Sequence, residues 1–196
     1  MHLVFDIFQG IGIAAAVGIR PFLPGLAVGA LGAADAQIDF DHTSYSFLEQ
    51  GPFLLVMLIG VVLLAVTERR ATRAELEGRF VVTVLAAVSL VLGALFFAGA
   101  LAQDRNVPWP GIIAGVLCAG VGLLATRPLL ERVRARLDDQ TAAMVPLFSE
   151  SGALLAAVLS VLLPPVGIVV LLLLLWLLYA GRQRGERKYA GLRILR

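Results

Sequence analysis

The chain has 196 residues, of which 59% are hydrophobic and only 15% are charged, with a formal net charge of +2 at pH 7. Since an ordinary soluble domain is about one quarter charged, this composition argues against a typical soluble protein and predicts a membrane protein. Apolar stretches recur along nearly the whole length, so residues 1–196 are expected to form a single helical transmembrane domain with no separate soluble part.

The first apolar run extends from Leu3 to Ala34. At about 1.5 Å per residue it is too long for one straight crossing of a ~30 Å core and too short for two comfortable ones. We therefore expect either one kinked span or a re-entrant hairpin, broken near residues 18–25. The segment Ala34 to Ala36 mimics a signal-peptide cleavage site, but no Lys or Arg precedes the run, so the run is expected to be retained.

Within this run, Arg20 is followed by Pro21 and Pro24. An arginine at a helix centre in lipid costs about 2.5–3.5 kcal/mol, so Arg20 is expected to face protein, water or a counter-ion, or to extend to nearby headgroups. The two prolines remove backbone donors, and such backbone is stable at membrane depth only where it is buried in protein or lines a wet cavity. The sequence thus predicts a binding site at Arg20, Pro21 and Pro24.

Three further apolar runs are each expected to cross the membrane once, and these are Gly51 to Val66, Phe80 to Leu101, and Pro110 to Leu124. Of the 16 Lys and Arg residues, 14 lie in three short stretches, at residues 69–79, 127–136 and 182–196. The positive-inside rule places these stretches in the cytoplasm and the loops at 35–50 and 103–110 outside. We expect a multi-pass protein of the bacterial inner (cytoplasmic) membrane, with a basic cytoplasmic C-terminal tail at residues 180–196.

The last apolar run, Thr141 to Ala180, begins and ends in the predicted cytoplasm and contains Pro164 and Pro165. It is expected to form two short crossings or a hairpin, broken near residues 160–166. Its proline break weakly matches the one in the first run, which suggests an internal repeat or simply two kinked helices. The predicted fold is all-α: a polytopic helical membrane protein with about six membrane segments.

A carboxylate near the start of this run is a possible partner for Arg20. If the helix is continuous from the preceding basic loop, Glu150 lies about 15 Å into the membrane. Alternatively, Pro146 begins the helix late and leaves Glu150 at the cytoplasmic interface. In the first case Arg20 and Glu150 would form a pair or a shared hydrated site, with Ser149 and Ser151 adding hydroxyl ligands.

The block Gly18 to Pro24, the acidic and aromatic loop with Asp39 and Phe40, and the later Ser-acid-small segment form a pattern. This pattern resembles an uncharacterised family of small bacterial integral membrane proteins, a domain of unknown function with a Gly-Ile/Leu-Arg-Pro-Phe/Tyr-Leu-Pro motif. The resemblance implies a polytopic helical membrane domain and brings no known substrate.

Other chemistry is poorly represented. Metalloprotease, serine hydrolase and NTPase motifs do not occur, so no enzymatic activity and no cofactor are expected. His42 with Asp39 and Asp41 is more typical of a solvated charge cluster than of a metal site, and no metal is predicted. The basic stretches lack interleaved aromatic residues, which argues against nucleic acid as a partner.

The leading hypothesis is a small membrane transporter or channel for a small solute or ion, with a polar site at the broken helices. Because one copy of 20.8 kDa offers few helices around a pathway, a homodimer is expected. The alternative is a non-transporting scaffold or assembly subunit that binds another membrane protein. In both cases the lipid bilayer is a partner.

Overall fold

A computed structural model of the chain describes residues 2–41, 43–70, 79–103, 107–134, 136–137, 141 and 144–190. The helices it contains are α1 (His2–Ile19), α2 (Phe22–Gly32), α3 (Gly51–Arg70), α4 (Arg79–Ala102), α5 (Trp109–Arg134), α6 (Val145–Leu162) and α7 (Pro165–Ala190), with a 3₁₀ turn at Ser46–Leu48. His42, residues 191–196 of the basic tail, and the side chains of residues 183–190 lie outside what the structure describes.

Five of these helices, α3 to α7, are long and apolar enough to cross a membrane, and α1 and α2 are shorter apolar helices. The prediction of an all-helical polytopic membrane protein is confirmed. Four helix starts carry a proline in the first or second helical position, namely Pro52, Pro110, Pro146 and Pro165. Proline is stable there because the first helical N–H groups have no partner within the helix.

Helix α1 lies at the centre of the bundle, where it packs against α4, α5, α6 and α7. Ala14, Ala15 and Ala16 are completely buried. Small residues allow helices to approach closely in a membrane protein. Two glycines of α1 lie at such close contacts. A Cβ atom at Gly18 would collide with the backbone of Ala119 in α5, and one at Gly12 would collide with α6 and α7.

Helices α1 and α2 form a hairpin rather than one continuous kinked helix. The side-chain amide Nε2 of Gln9, in the first half of α1, donates to Gln37 O at 3.2 Å and to Val161 O at 3.3 Å. The segment that follows α2 therefore returns to the end of the bundle where α1 begins. Along α2, Phe22 packs beside Gly60 and Gly29 beside Leu48, so α2 runs antiparallel to α3.

The last apolar run forms two helices, α6 and α7, which meet at a turn at Leu163 and Pro164. Each is long and apolar enough to cross a membrane by itself, which agrees with the expectation of two crossings. The α6–α7 turn lies near Gln9, whereas the start of α6 lies near Arg20, so the two proline breaks are at opposite ends of the bundle. The internal repeat stays a prediction.

The loop between α2 and α3 is packed onto the bundle. Ile38, Phe40 and Leu48 are almost completely buried. The ring of Phe40 lies 6.3 Å from that of Phe96 in α4, centroid to centroid. This loop closes the end of the bundle opposite to the α1–α2 bend.

Candidate functional site

The bend between α1 and α2 lies at Pro21, which has no backbone N–H to donate. Arg20 N still donates to Ala16 O at 3.2 Å, and the next bond of the new helix runs from Gly25 N to Pro21 O at 3.3 Å. Pro21 interrupts the series between them, while Pro24 lies in the first turn of α2, where a backbone donor is not needed. The chain can therefore reverse direction at Arg20 and Pro21.

The Arg20 side chain is buried, with 8% of the residue exposed. Its Nη1 forms an ion pair with Glu68 Oε1 at 2.6 Å, near the end of α3. Its Nε donates to Ser149 Oγ at 3.0 Å in α6, and that hydroxyl donates in turn to Pro146 O at 2.8 Å. The guanidinium thus joins three elements, and its charge is compensated by a carboxylate.

A cavity of about 140 Å³ adjoins this ion pair. Since one water molecule needs about 10–15 Å³ of cavity volume, the cavity has room for several waters or a small solute. Its polar and charged lining residues are Arg20, Glu68, Ser89, Thr126, Arg127, Glu131 and Arg134. We call this space the polar cavity. Three arginines against two glutamates leave it with one excess positive charge.

The polar cavity lies at the end of the bundle where α3 and α5 end and α4 begins. That end includes Arg70 at the end of α3, Arg79 at the start of α4 and Arg127 near the end of α5, so the positive-inside rule predicts that it faces the cytoplasm. Arg127 and Arg134 make no hydrogen bond or ion pair with another residue that the structure describes. Their guanidinium groups are available to a ligand.

A second cavity, of about 330 Å³, lies between α5, α6 and α7. Its lining is almost entirely aliphatic, and it includes Gly152, Ala153 and Leu174. We call it the apolar groove. Ile19, Thr126 and Leu130 border both the groove and the polar cavity, so the two spaces are neighbours.

The structure brings together some of the residues predicted from the sequence. Arg20 and Pro21 line the polar cavity, and Ser149 binds Arg20. Glu150 is half-buried and close enough to Arg20 for the two charges to interact, but no hydrogen bond or ion pair between them is found among the described residues. Pro24 is buried away from both cavities, and Ser151 is exposed and lines neither.

The partner that sequence reasoning missed is Glu68. It lies next to Arg69 and Arg70, and a glutamate beside two arginines is easily assigned to the solvated basic loop. The signal that could have identified it is its order in the chain, since Glu68 comes before the arginines and therefore on the membrane side of them. The helix α3 continues to Arg70 and holds this carboxylate within the bundle.

The opposite end of the bundle carries an acidic cluster. Carboxylate oxygens of Asp35, Asp39 and Asp41 lie within 4.8 Å of one another, and all three residues are exposed. The backbone N–H of Asp41 donates to Asp39 Oδ1 at 2.7 Å, so part of the clustering is local turn geometry. Exposed acidic loops of this kind are common without a bound ion, and His42 lies outside the described residues.

Residues 7–184 match the family model described as Domain of unknown function (DUF4126). The expected membership of an uncharacterised family is therefore confirmed. No curated protein matches the chain, and no solved structure matches it. The family description names no substrate.

Proposed function

The chain belongs to the DUF4126 family, a domain of unknown function, and for this member we propose a small membrane transporter or channel for a small solute or ion. The observation that carries the proposal is the hairpin of α1 and α2, which bends at a buried, ion-paired Arg20 beside the polar cavity. Buried charges in a membrane are costly and often mark ion or substrate pathways. Broken helices that line a cavity are typical of transporter binding sites.

The proposal assigns a role to each polar group. Arg20 would bind an anionic group of the solute or exchange its partner Glu68 for it, and Arg127 would attract the anion from the cytoplasmic side. The proposed activity is not enzymatic and needs no cofactor, metal or nucleic acid. We further propose a bacterial inner-membrane location with a cytoplasmic C-terminus, and a homodimer, because five crossing helices surround only a small pathway.

The test is flux into proteoliposomes that hold the purified chain alone, measured for a panel of small ions and solutes. The double variant Arg20→Gln, Glu68→Gln removes both charges without leaving either one unpaired, so the fold should survive. Arg132→Gln is the matched control, because Arg132 Nε donates to Pro128 O of its own helix and its side chain lies outside the polar cavity.

Flux that the wild type and Arg132→Gln share and the double variant loses would support the proposal. Absence of flux for every panel member, with folded protein in each preparation, would contradict it and favour a non-transporting scaffold that binds another membrane protein. Equal flux in all three proteins would show that the pathway does not pass the Arg20 site.

A further inference from the structure

The polar cavity and the apolar groove have complementary chemistry at adjoining positions. Both are open to the outside of the molecule, and they adjoin at Ile19, Thr126 and Leu130. A ligand that occupies both must have a polar end and a hydrocarbon end. An amphiphile is therefore the class of molecule that fits the pair, and a small inorganic ion fits only one of them.

The charge of the polar cavity determines the charge of the ligand's polar end. Glu68 is already engaged by Arg20 at 2.6 Å, and Glu131 is exposed. Arg127 and Arg134 remain without a partner among the described residues. A guanidinium group matches phosphate in geometry and charge, and its paired N–H donors can bind two oxygens at once. The polar end is therefore anionic.

The groove determines the other end. Its walls come from three apolar helices, and the hydroxyl of Ser149 at its edge is occupied by Arg20 and Pro146. A Cβ added at Gly152 would meet no atom within 4 Å, so this part of the wall is open space. Hydrocarbon is the ligand chemistry that such a wall accepts without an unsatisfied polar group.

We propose that the polar cavity and the apolar groove form one binding site for an anionic phospholipid. The phosphate lies against Arg127 and Arg134, and an acyl chain extends across Leu130 into the groove beside Gly152. This inference goes beyond the proposed function, because it assigns to the same site a ligand that is a lipid of the surrounding bilayer and not a small solute or ion.

The experiment is native mass spectrometry of the purified full chain, titrated with phosphatidylglycerol, with phosphatidylcholine and with inorganic phosphate. Two variants test the two ends: Arg127→Gln with Arg134→Gln for the head, and Gly152→Leu for the chain. The matched controls are Arg132→Gln and Ser151→Leu, which alter neighbouring positions that line neither cavity.

Phosphatidylglycerol should bind more tightly than phosphatidylcholine. Since a hydrogen bond to a charged group is worth about 1.5–3 kcal/mol, the head variant should weaken phosphatidylglycerol binding by about tenfold or more. Gly152→Leu should weaken it as well, and both controls should bind as the wild type does. Gly152→Leu adds a side chain into open space, so loss of fold does not explain a loss of binding in that variant.

Three outcomes would overturn the inference. Equal binding of the two lipids would indicate ordinary lipid around the protein, and so would losses that the controls share. Displacement by inorganic phosphate together with full binding to Gly152→Leu would indicate a free anion site. Lipid binding without any flux would support the lipid site and contradict transport. Flux of a small ion without a lipid preference would support transport and contradict the lipid site.

Discussion

Arg20 holds a full positive charge in a setting where only 8% of the residue reaches the surface. Glu68 compensates that charge at 2.6 Å, and Ser149 occupies a second donor. Both charges are already removed from water in the folded state. Loss of one partner would therefore leave the other charge buried and unpaired. Removal of both is cheaper than removal of either.

A double-mutant cycle tests this pair. Arg20→Gln and Glu68→Gln should each destabilise the protein by about 3–5 kcal/mol, measured as free energies of unfolding in detergent. The double variant should be destabilised by less than either single variant, so the coupling energy should exceed about 3 kcal/mol. The comparison cycle uses Arg20→Gln with Glu150→Gln, where no ion pair is found. Equal coupling in the two cycles would mean that Glu68 is not the specific partner.

A second residue-scale prediction concerns Glu49 in the loop between α2 and α3. Burial raises the pKa of Glu49 above its ordinary value, the hydrogen bond from Phe40 N lowers it, and the carboxylates of Asp41 and Asp39 raise it again. The folded protein therefore binds this proton more tightly than the unfolded chain. The stabilisation that the Glu49 carboxyl contributes is fully present below its ordinary pKa of 4.5, and it is lost as pH rises through the raised pKa of the folded protein.

Glu49→Gln should remove this dependence, because the amide carries no ionisable proton and can still accept from Phe40 N. Thermal melting in detergent across the acidic range would show a decline with rising pH in the wild type that is smaller in the variant. Identical pH profiles for the two proteins would contradict the raised pKa.

Sequence reasoning could place Arg20 in the site but could not choose its partner. An arginine between apolar segments must find a counter-ion, and this requirement is local. The choice between Glu68 and Glu150 depends on how the end of α3 and the start of α6 approach the bend, which is a tertiary property. Helix α6 begins at Val145, so Glu150 lies in its second turn and Ser149, one residue earlier, reaches the guanidinium.

At the scale of the elements, glycines determine how closely α1 is enclosed. A Cβ atom at Gly18 would collide with the Ala119 backbone, and one at Gly122 would collide with Ala15 O across the same contact. The collisions involve backbone atoms, which cannot move aside as a flexible side chain does. The contact between α1 and α5 close to the Arg20 bend can therefore accept a larger residue only at a cost in stability.

Gly18→Ala should destabilise the protein by about 1–3 kcal/mol, the usual cost of overpacking, although alanine is the better helix former. Gly152→Ala is the control, because its Cβ would meet nothing within 4 Å, and this change should leave stability equal or slightly higher. Thermal melting of the two variants in one detergent would measure the difference. A Gly18→Ala protein as stable as the control would exclude the tight α1–α5 contact.

The number and type of helices followed from apolar length and from the prolines, but the path of the first run did not. Leu3 to Ala34 was compatible with a kinked span or a hairpin, since local sequence shows where a helix breaks and not the direction in which it continues. The direction is set by distant contacts, such as the bonds of Gln9 to Gln37 and Val161. A polar side chain within an apolar run was the only local sign of them.

At the scale of the whole molecule, the hairpin predicts which positions lie on the same side of the membrane. With Cys118 replaced by alanine, a single cysteine at Leu3 or at Asp35 should react with a membrane-impermeant maleimide from the same side. A cysteine at Met144, which is exposed before α6, should react from the opposite side. Labelling of the Leu3 and Asp35 positions from different sides would indicate one kinked span.

The position of α1 also bears on how the protein is made. Helix α1 is enclosed by α4, α5, α6 and α7, which follow it in the chain and are therefore synthesised after it. Its glycine- and alanine-rich surface is fully covered only after α6 and α7 have been synthesised. Until then, α1 remains partly uncovered in the membrane or at the insertion machinery. A nascent chain that ends before α6 would leave Arg20 without Ser149 and one side of α1 uncovered.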